Sequence, residues 1–417
     1  MLTKEENDLL TQTGPGTLGG ALLRRYWQPV ALSEELPPGG APLPVRILSE
    51  DLALFRAEDG QPGLLGLHCP HRGADLSYGR LEDGGLRCLY HGWLFNRAGR
   101  CLEQPGEPAG STFYERIQHT AYPCREAGGM ILTYLGPGEP PPLPNYGCFS
   151  VPPDQVAPTK LFHDCNYLQG NEGNIDLVHV SLMHLTKNDV QARVVEQSDS
   201  ISGRGGAPNL ETIEVDPTPT GFRYCKLRQL PSGERYVRSA EFVIPNSCAV
   251  PARQHDGMGY LINWHVPIDD LTHWKYIIIF NWEHPLDRET VRRERYSYVT
   301  ADYQSTRNKA NRYLQDRAEM RTESYTGMGL DFTPHDVFAT EGQGPIQDRT
   351  HERLAPSDMA VAQERRLLLN LIRDVQAGVR PPQFDPDPAL GRPRKIVSLY
   401  DTLPASTDWA AHCRERE

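Results

Sequence analysis

The chain has 417 residues, 38 % of them hydrophobic, and carries 43 basic against 54 acidic side chains for a formal net charge of −11. That length exceeds the size at which a single hydrophobic core stops growing, so about two domains are expected, and the acidic balance argues against nucleic acid as a partner, because phosphate neutralisation needs basic surface. No apolar run approaches the roughly 18 residues of a membrane span, and Met1 to Glu6 carries no signal-peptide pattern; a cytoplasmic protein is expected.

Thr3 and Glu6 have the spacing of a capping box and predict a short helix through Leu9 and Leu10, stopped by Gly14-Pro15-Gly16. Gly16 to Gly20 is glycine-rich but lacks the Gly-Lys-Ser/Thr ending of a phosphate loop, and reads as a turn into a helix over Leu22–Tyr26. From Leu43 onward short apolar runs (45–48, 52–55, 64–67) alternate with the turn signals Glu58-Asp59-Gly60 and Glu82-Asp83-Gly84-Gly85, the pattern of an antiparallel β-domain.

Inside that region lie Cys69-Pro70-His71 and Cys88-Leu89-Tyr90-His91. Two thiolates and two imidazoles in matching halves can divide between two irons, sulfur on one and nitrogen on the other, which is the ligand set of a Rieske [2Fe–2S] cluster. A Cys₂His₂ zinc site uses the same donors, but such modules usually keep cysteines with cysteines and histidines with histidines, whereas here each half holds one of each. The other seven cysteines (101, 124, 148, 165, 225, 248 and 413) are scattered and odd in number, which fits reduced structural thiols.

The proline-rich stretch 136–144 reads as a linker, and the expected division is a helical segment over 1–40 packing on the catalytic part, a Rieske domain over 41–145 and a catalytic domain over 146–417. In the last of these, 171–185 reads as helix, 224–230, 236–244, 258–265 and 274–282 as strands, and the charged segments 287–321 and 357–375 as helices. The result is an α+β domain with a central antiparallel sheet. Ser202 to Pro208 is a loop candidate for a lid, and the proline-rich tail after Val379 is expected to lack a core.

Asp176, His179 and His184 follow at offsets of three and five. Three apart shares a helix face and five apart does not, so a helix end or distortion is required for both imidazoles to meet one metal. Two histidines with a later carboxylate form the facial triad of a non-haem Fe(II) oxygenase; a histidine pair on a helix is otherwise a surface or hydrogen-bonded core feature. An electron-transfer protein would need only the cluster, and these histidines discriminate between the two readings.

The segments 69–74 (Cys-Pro-His-Arg-Gly-Ala), 88–93 (Cys-Leu-Tyr-His-Gly-Trp) and 171–179 (Asn-Glu-Gly-Asn-Ile-Asp-Leu-Val-His) resemble those of Rieske non-haem iron oxygenases, in the phthalate dioxygenase-like α-only group that includes aryl O-demethylases. Gly14 to Trp27 and Gly344 to Thr350 extend the likeness over most of the chain. The resemblance implies a helix-grip catalytic domain. It also implies a third iron ligand at Asp336, which is followed five residues on by Glu341 as the family pattern requires, with Asp348 as runner-up.

It further implies dioxygen as co-substrate, electrons from NAD(P)H through a separate flavin and iron–sulfur reductase, with or without a ferredoxin, and a head-to-tail trimer or dimer of trimers. Within that trimer Asp176 would join His91 of one subunit to His179 of the next. No dinucleotide-binding Gly-x-Gly-x-x-Gly follows a strand in this chain, in keeping with a reductase on another polypeptide. An aromatic acid is the implied substrate, for ring hydroxylation or O-demethylation. The arginines between Arg288 and Arg321 are candidates for a carboxylate clamp, against the ordinary reading of a solvated charged helix.

Overall fold

The computed structural model describes residues 1–186, 211–252, 257–385 and 394–417; the Ser202 to Pro208 loop lies outside them. Turn chemistry shapes the first half. The strands Glu50–Arg56 and Pro62–Gly66 are joined through Gly60 at φ 80°, and Arg80–Glu82 and Gly85–Arg87 through Asp83 and Gly84, both with positive φ. These hairpins belong to two four-stranded antiparallel sheets that enclose a small core of Phe55, Leu65, Leu76, Leu86, Trp93 and Phe95.

The capping box at Thr3 is formed and starts a helix over Lys4–Thr11. The second helix starts earlier than its apolar residues suggest: Thr17 caps it and it spans Leu18–Leu23, ending before Tyr26. The proline-rich stretch 136–144 carries no regular secondary structure.

Beyond it, an eight-stranded antiparallel sheet runs in the order Val156–His163, His273–Phe280, Leu261–Pro267, Ser247–Val250, Glu234–Val243, Gly221–Gln229 and Glu211–Thr218, with Leu399–Pro404 also pairing to Glu234–Val243. The tail thus does more than the expected coreless extension. Its strand and the helix Trp409–Arg414 bury Leu399, Leu403, Trp409 and Cys413 against Cys225, Leu227 and Val237. Apolar spacing too sparse to announce a core is sufficient where a sheet already offers an unpaired strand edge.

The charged stretch 287–321 is not one helix. Only Arg288–Arg295 and Glu319–Thr322 are α-helical, and Arg312, Tyr313 and Leu314 all have positive φ, which no continuous right-handed helix accommodates. Helix Met359–Gln376 forms as its periodicity predicts and buries Leu368, Leu369, Leu371 and Ile372.

Two helices position the chemistry. Tyr167–Ile175 starts with the Asn166 side chain accepting from the Leu168 N–H, and lies against the sheet so closely that a Cβ at Gly170 would sit 2.2 Å from His265 Nδ1. Buried Glu172 fixes it: Arg349 donates to the Glu172 carboxylate at 2.7 to 3.2 Å, Arg365 donates at 2.6 Å, and Arg349 Nη1 also donates to Asn7 Oδ1 at 3.2 Å. The second helix, Phe332–Glu341, is held at its far end by Glu341, which accepts from the Asp164 N–H at 2.9 Å and the Tyr313 hydroxyl at 3.0 Å.

All nine cysteines are free thiols. No described helix is long and apolar enough to cross a membrane.

Candidate metal centres

Two loops of the same construction carry Cys69/His71 and Cys88/His91. In each, the N–H of a glycine four residues on donates to the cysteine carbonyl, Gly73 to Cys69 at 2.8 Å and Gly92 to Cys88 at 3.0 Å. In each the cysteine N–H donates across the loop, to Ala74 in one and Trp93 in the other. Gly73 and Gly92 stand at φ 74° and 77°, where a side chain would be strained.

The cysteines are buried, and burial pushes the Cys69 thiol up to about 11, reinforced by neighbouring Cys88 and opposed by the N–H groups of His71 and Arg72. A thiol so placed ionises readily only when a metal replaces its proton. The imidazoles of His71, exposed, and His91, half-buried, meet edge to face with centroids 4.4 Å apart, and His71 stacks on Trp93 at 4.5 Å.

This arrangement bears on the choice between cluster and zinc. A tetrahedral zinc ion brings its donors within about 4 Å of one another. Among the described residues, the only group of three or more His, Cys, Asp or Glu donors that close is elsewhere, so no three of Cys69, His71, Cys88 and His91 converge on one point. Cys69 beside Cys88 and His71 against His91, a sulfur pair and a nitrogen pair, suit a binuclear cluster.

The convergent group is His179, His184 and Asp336, whose ligand atoms lie within 4.8 Å of one another. The helix predicted over 171–185 ends at Asp176, whose ψ is 112°, and the Asp176 side chain is the cause. Its Oδ1 accepts from the N–H groups of Val178 at 2.8 Å and His179 at 3.4 Å, a local bond that competes with the helical ladder. A short 3₁₀ turn over His179–Ser181 follows, and this break brings the two histidines, five apart in sequence, to one point.

His184 Nε2 lies 3.1 Å and His179 Nε2 3.7 Å from Asp336 Oδ1, while His179 Nδ1 is 3.5 Å from Asp176 Oδ2. Burial would raise the Asp336 carboxyl, but His184, Lys275 and His179 hold it well below its ordinary value. Likewise burial opposes ionisation of the Asp176 and His179 pair, yet each favours the other's charged form, with Asp176 shifted down and His179 up. Three donors on one side of a point leave coordination positions for other ligands. Asp348 takes no part: it sits in an exposed turn where Thr350 and His351 pull it down to about 2.

The triad borders a cleft of about 180 Å³ lined by Glu172, Asp176, His179, Met183, Asp336 and Arg365. Its one arginine is already paired to Glu172 and Glu352.

The sequence reading passed over three residues near the triad. Lys275 is 5 % exposed, forms no hydrogen bond or ion pair with any described residue, and acts electrostatically on Asp336. Arg238 is 9 % exposed, its Nε and Nη1 lack hydrogen-bond partners, and it acts on His179. His335 neighbours Asp336 and contacts His184. Both stand among consecutive buried residues of strands His273–Phe280 and Glu234–Val243, and a lysine or arginine at a buried strand position was the available signal. Of the sequence-nominated arginines, Arg292 pairs with Glu34 at the surface and Arg307 binds the carbonyls of Tyr313 and Leu314; neither forms a clamp.

Comparison with known proteins agrees with this geometry. Residues 26–121 match the Rieske [2Fe-2S] domain, and residues 133–417 match the LigXa C-terminal domain-like family. The chain is 36 % identical to the phthalate 4,5-dioxygenase oxygenase subunit of Pseudomonas putida, over 98 % of this chain and 94 % of that one. It is 32 % identical to the 5,5'-dehydrodivanillate O-demethylase oxygenase subunit of Sphingobium sp., over 96 % and 87 %. It is 33 % identical to the tert-butanol monooxygenase / tert-amyl alcohol desaturase oxygenase subunit of Aquincola tertiaricarbonis, over 89 % and 77 %.

Among solved structures, the terminal oxygenase of carbazole 1,9a-dioxygenase from Nocardioides aromaticivorans shares the fold at a TM-score of 0.58 and 20 % identity, covering 89 % of this chain and 98 % of that one. Dicamba monooxygenase does so at 0.58 and 19 %, covering 86 % and 99 %. The chain belongs to the Rieske non-haem iron oxygenases, as the oxygenase subunit of a multicomponent system. Its electrons therefore come from a separate reductase.

Proposed function

We propose that this terminal oxygenase oxidises an aromatic acid, by ring hydroxylation or by O-demethylation of a methoxy-aromatic acid. The observation that carries the substrate class is the pair of buried basic side chains near the triad, Arg238, whose Nε and Nη1 have no hydrogen-bond partner among the described residues, and Lys275, whose charge acts on Asp336. A buried cation without a partner costs several kcal/mol, roughly, and a substrate carboxylate removes that cost where a neutral alcohol does not. The names of the relatives point both ways, since phthalate is an acid and tert-butanol is not.

In this reading Cys69, His71, Cys88 and His91 hold the Rieske cluster, and His179, His184 and Asp336 hold the iron. When bound, the cluster relays single electrons and the Fe(II) activates dioxygen beside the substrate. The chain's own contribution is orientation. The Asp176 carboxylate faces His179 Nδ1 at 3.5 Å, which favours the ring hydrogen there and leaves Nε2 for the metal. Arg238 and Lys275 fix the acid so that the reacting ring carbon or methyl group faces the triad. The open cleft at Asp176, with His71 exposed and His91 half-buried, supports a subunit ring in which His91 of one chain approaches Asp176 of the next.

The test is a panel of aromatic acids, their neutral amides and tert-butanol, supplied with a surrogate reductase while oxygen uptake and formaldehyde are followed. Acids are expected to turn over and amides not; equal turnover of acid and amide removes the proposal. Formaldehyde release separates demethylation from ring hydroxylation.

A further inference from the structure

The two triad histidines rest on different partners. His179 has a carboxylate, Asp176, at its Nδ1. His184 has a second imidazole: its Nδ1 is 3.1 Å from Nδ1 of His335, and the two rings stack at 15° with centroids 5.3 Å apart. Two ring nitrogens bond only when one of them carries the hydrogen. His335 Nε2 is 3.0 Å from the Gly329 carbonyl oxygen, which only accepts, so Nε2 carries a hydrogen. The neutral His335 ring then has a lone pair at Nδ1, and His184 must donate from its own Nδ1.

The reverse assignment makes His335 an imidazolium at 1 % exposure and places the His184 hydrogen on Nε2, where it blocks metal binding. The peptide that begins the relay is itself held, since the Gly329 N–H donates to Glu319 Oε1 at 2.7 Å. Phe332 closes on the His184 ring at 4.6 Å and limits its rotation.

We infer that His335 is a positioning residue which, anchored on the Gly329 carbonyl, fixes His184 as the tautomer with a free Nε2 and so prepares the triad for its metal. The inference rests on the reading of His179, His184 and Asp336 as the iron site. It makes His335 a histidine that binds no metal and yet sets metal affinity. It also predicts which replacements are tolerated. Glutamine offers an amide oxygen to His184 and an amide N–H₂ to Gly329, whereas phenylalanine keeps the ring's volume and stacking and offers neither.

The experiment strips the mononuclear iron from the intact protein with a chelator, leaves the cluster in place, and titrates Fe(II) back. Cluster absorbance serves as an internal control for folding. His335→Phe is expected to weaken Fe(II) binding by about 10- to 100-fold, the usual effect of losing a hydrogen bond to a metal-bound histidine, and His335→Gln to restore it to within a few-fold of the unaltered protein. Unchanged affinity in His335→Phe overturns the inference. So does equal weakening in His335→Gln with the cluster intact. If His335→Phe loses its cluster as well, His335→Gln alone decides, by binding Fe(II) normally or not. A His184→Ala control separates the two layers: if it leaves Fe(II) binding unchanged, the triad assignment itself has failed.

Discussion

At the exposed loops, all four donors lie between Cys69 and His91, and each loop closes on its own backbone hydrogen bonds. At the triad, His184 and the helix carrying Asp336 come from segments about 150 residues apart, and neither is in place until Glu172, Arg349, Arg365 and Glu341 have locked two helices to the sheet. The first region is a local structure that the rest of the chain needs only to tolerate. The second is a property of the whole catalytic sheet. Damage to one should therefore leave the other intact.

The hardest test of that separation is removal of a ligand from each. Asp336→Ala is expected to abolish metal binding at the triad, with loss of turnover beyond the roughly 100-fold typical of losing a supporting hydrogen bond, while the reduced cluster keeps its EPR signal. Cys88→Ser should give the converse: no cluster signal, but Fe(II) still bound at the triad. If either variant loses both metals, the two regions are not independent.

In the proposed subunit ring, Asp176 would lie on the path between the cluster of one chain and the triad of the next. Asp176→Asn is expected to keep both metals and lower turnover by about 10- to 100-fold, since asparagine still accepts from His179 but no longer carries charge. Single-turnover oxidation of a prereduced cluster checks it; an unchanged rate of cluster oxidation assigns Asp176 to local structure alone.

Substrate variants should act on the second region only. Arg238→Ala is expected to raise KM for a carboxylated substrate by about 10- to 100-fold, the worth of one charged hydrogen bond of roughly 1.5–3 kcal/mol, and Lys275→Met to do likewise, both with normal cluster spectra. A fall in kcat with KM unchanged would count against carboxylate binding.

The smallest effect concerns two carboxyls in one core. Glu172 is held below its ordinary value: burial opposes this, and Arg349 and Arg365 prevail. Glu364, fully buried with both oxygens unpartnered, is pushed well above the ordinary value by burial and by Glu172. A raised carboxyl favours folding below its unfolded pKa of about 4.3, and that contribution is lost as pH rises toward the folded value. Glu364→Gln should accordingly raise Tm at pH 8, by the equivalent of about 1 kcal/mol, and change it little at pH 4. Thermal unfolding at the two pH values gives the answer, and no difference between them assigns Glu364 no role in pH sensitivity.

The same contrast explains what was legible in the sequence. Cys69, His71, Cys88 and His91 stand in short local patterns whose spacing alone states the chemistry, and the hairpins at Gly60 and Gly84 follow from turn residues. His179 and His184 were legible only with the condition that a helix must break, and the break comes from the Asp176 side chain, whose capacity to compete with the helix depends on where it points. Asp336 came from resemblance, because no spacing rule selects one carboxylate from 54 acidic residues. His335, Arg238 and Lys275 were missed since their roles arise from contacts between segments far apart. The helix expected over 287–321 failed because high charge and helix-forming residues do not by themselves bury a face, and helices owe most of their stability to burial.

Asn7 and Arg349, which hydrogen-bond near Glu172, are separated by 342 positions. On the ribosome the helix Lys4–Thr11 emerges long before Arg349 exists, whereas the cluster loops, closed by Gly92 and Trp93, have their own residues early. Chain order therefore makes the residues of the cluster loops available before the arginine that clamps the catalytic helix. A nascent chain arrested before Arg349 would already hold every cluster ligand but lack the arginine that clamps the catalytic helix.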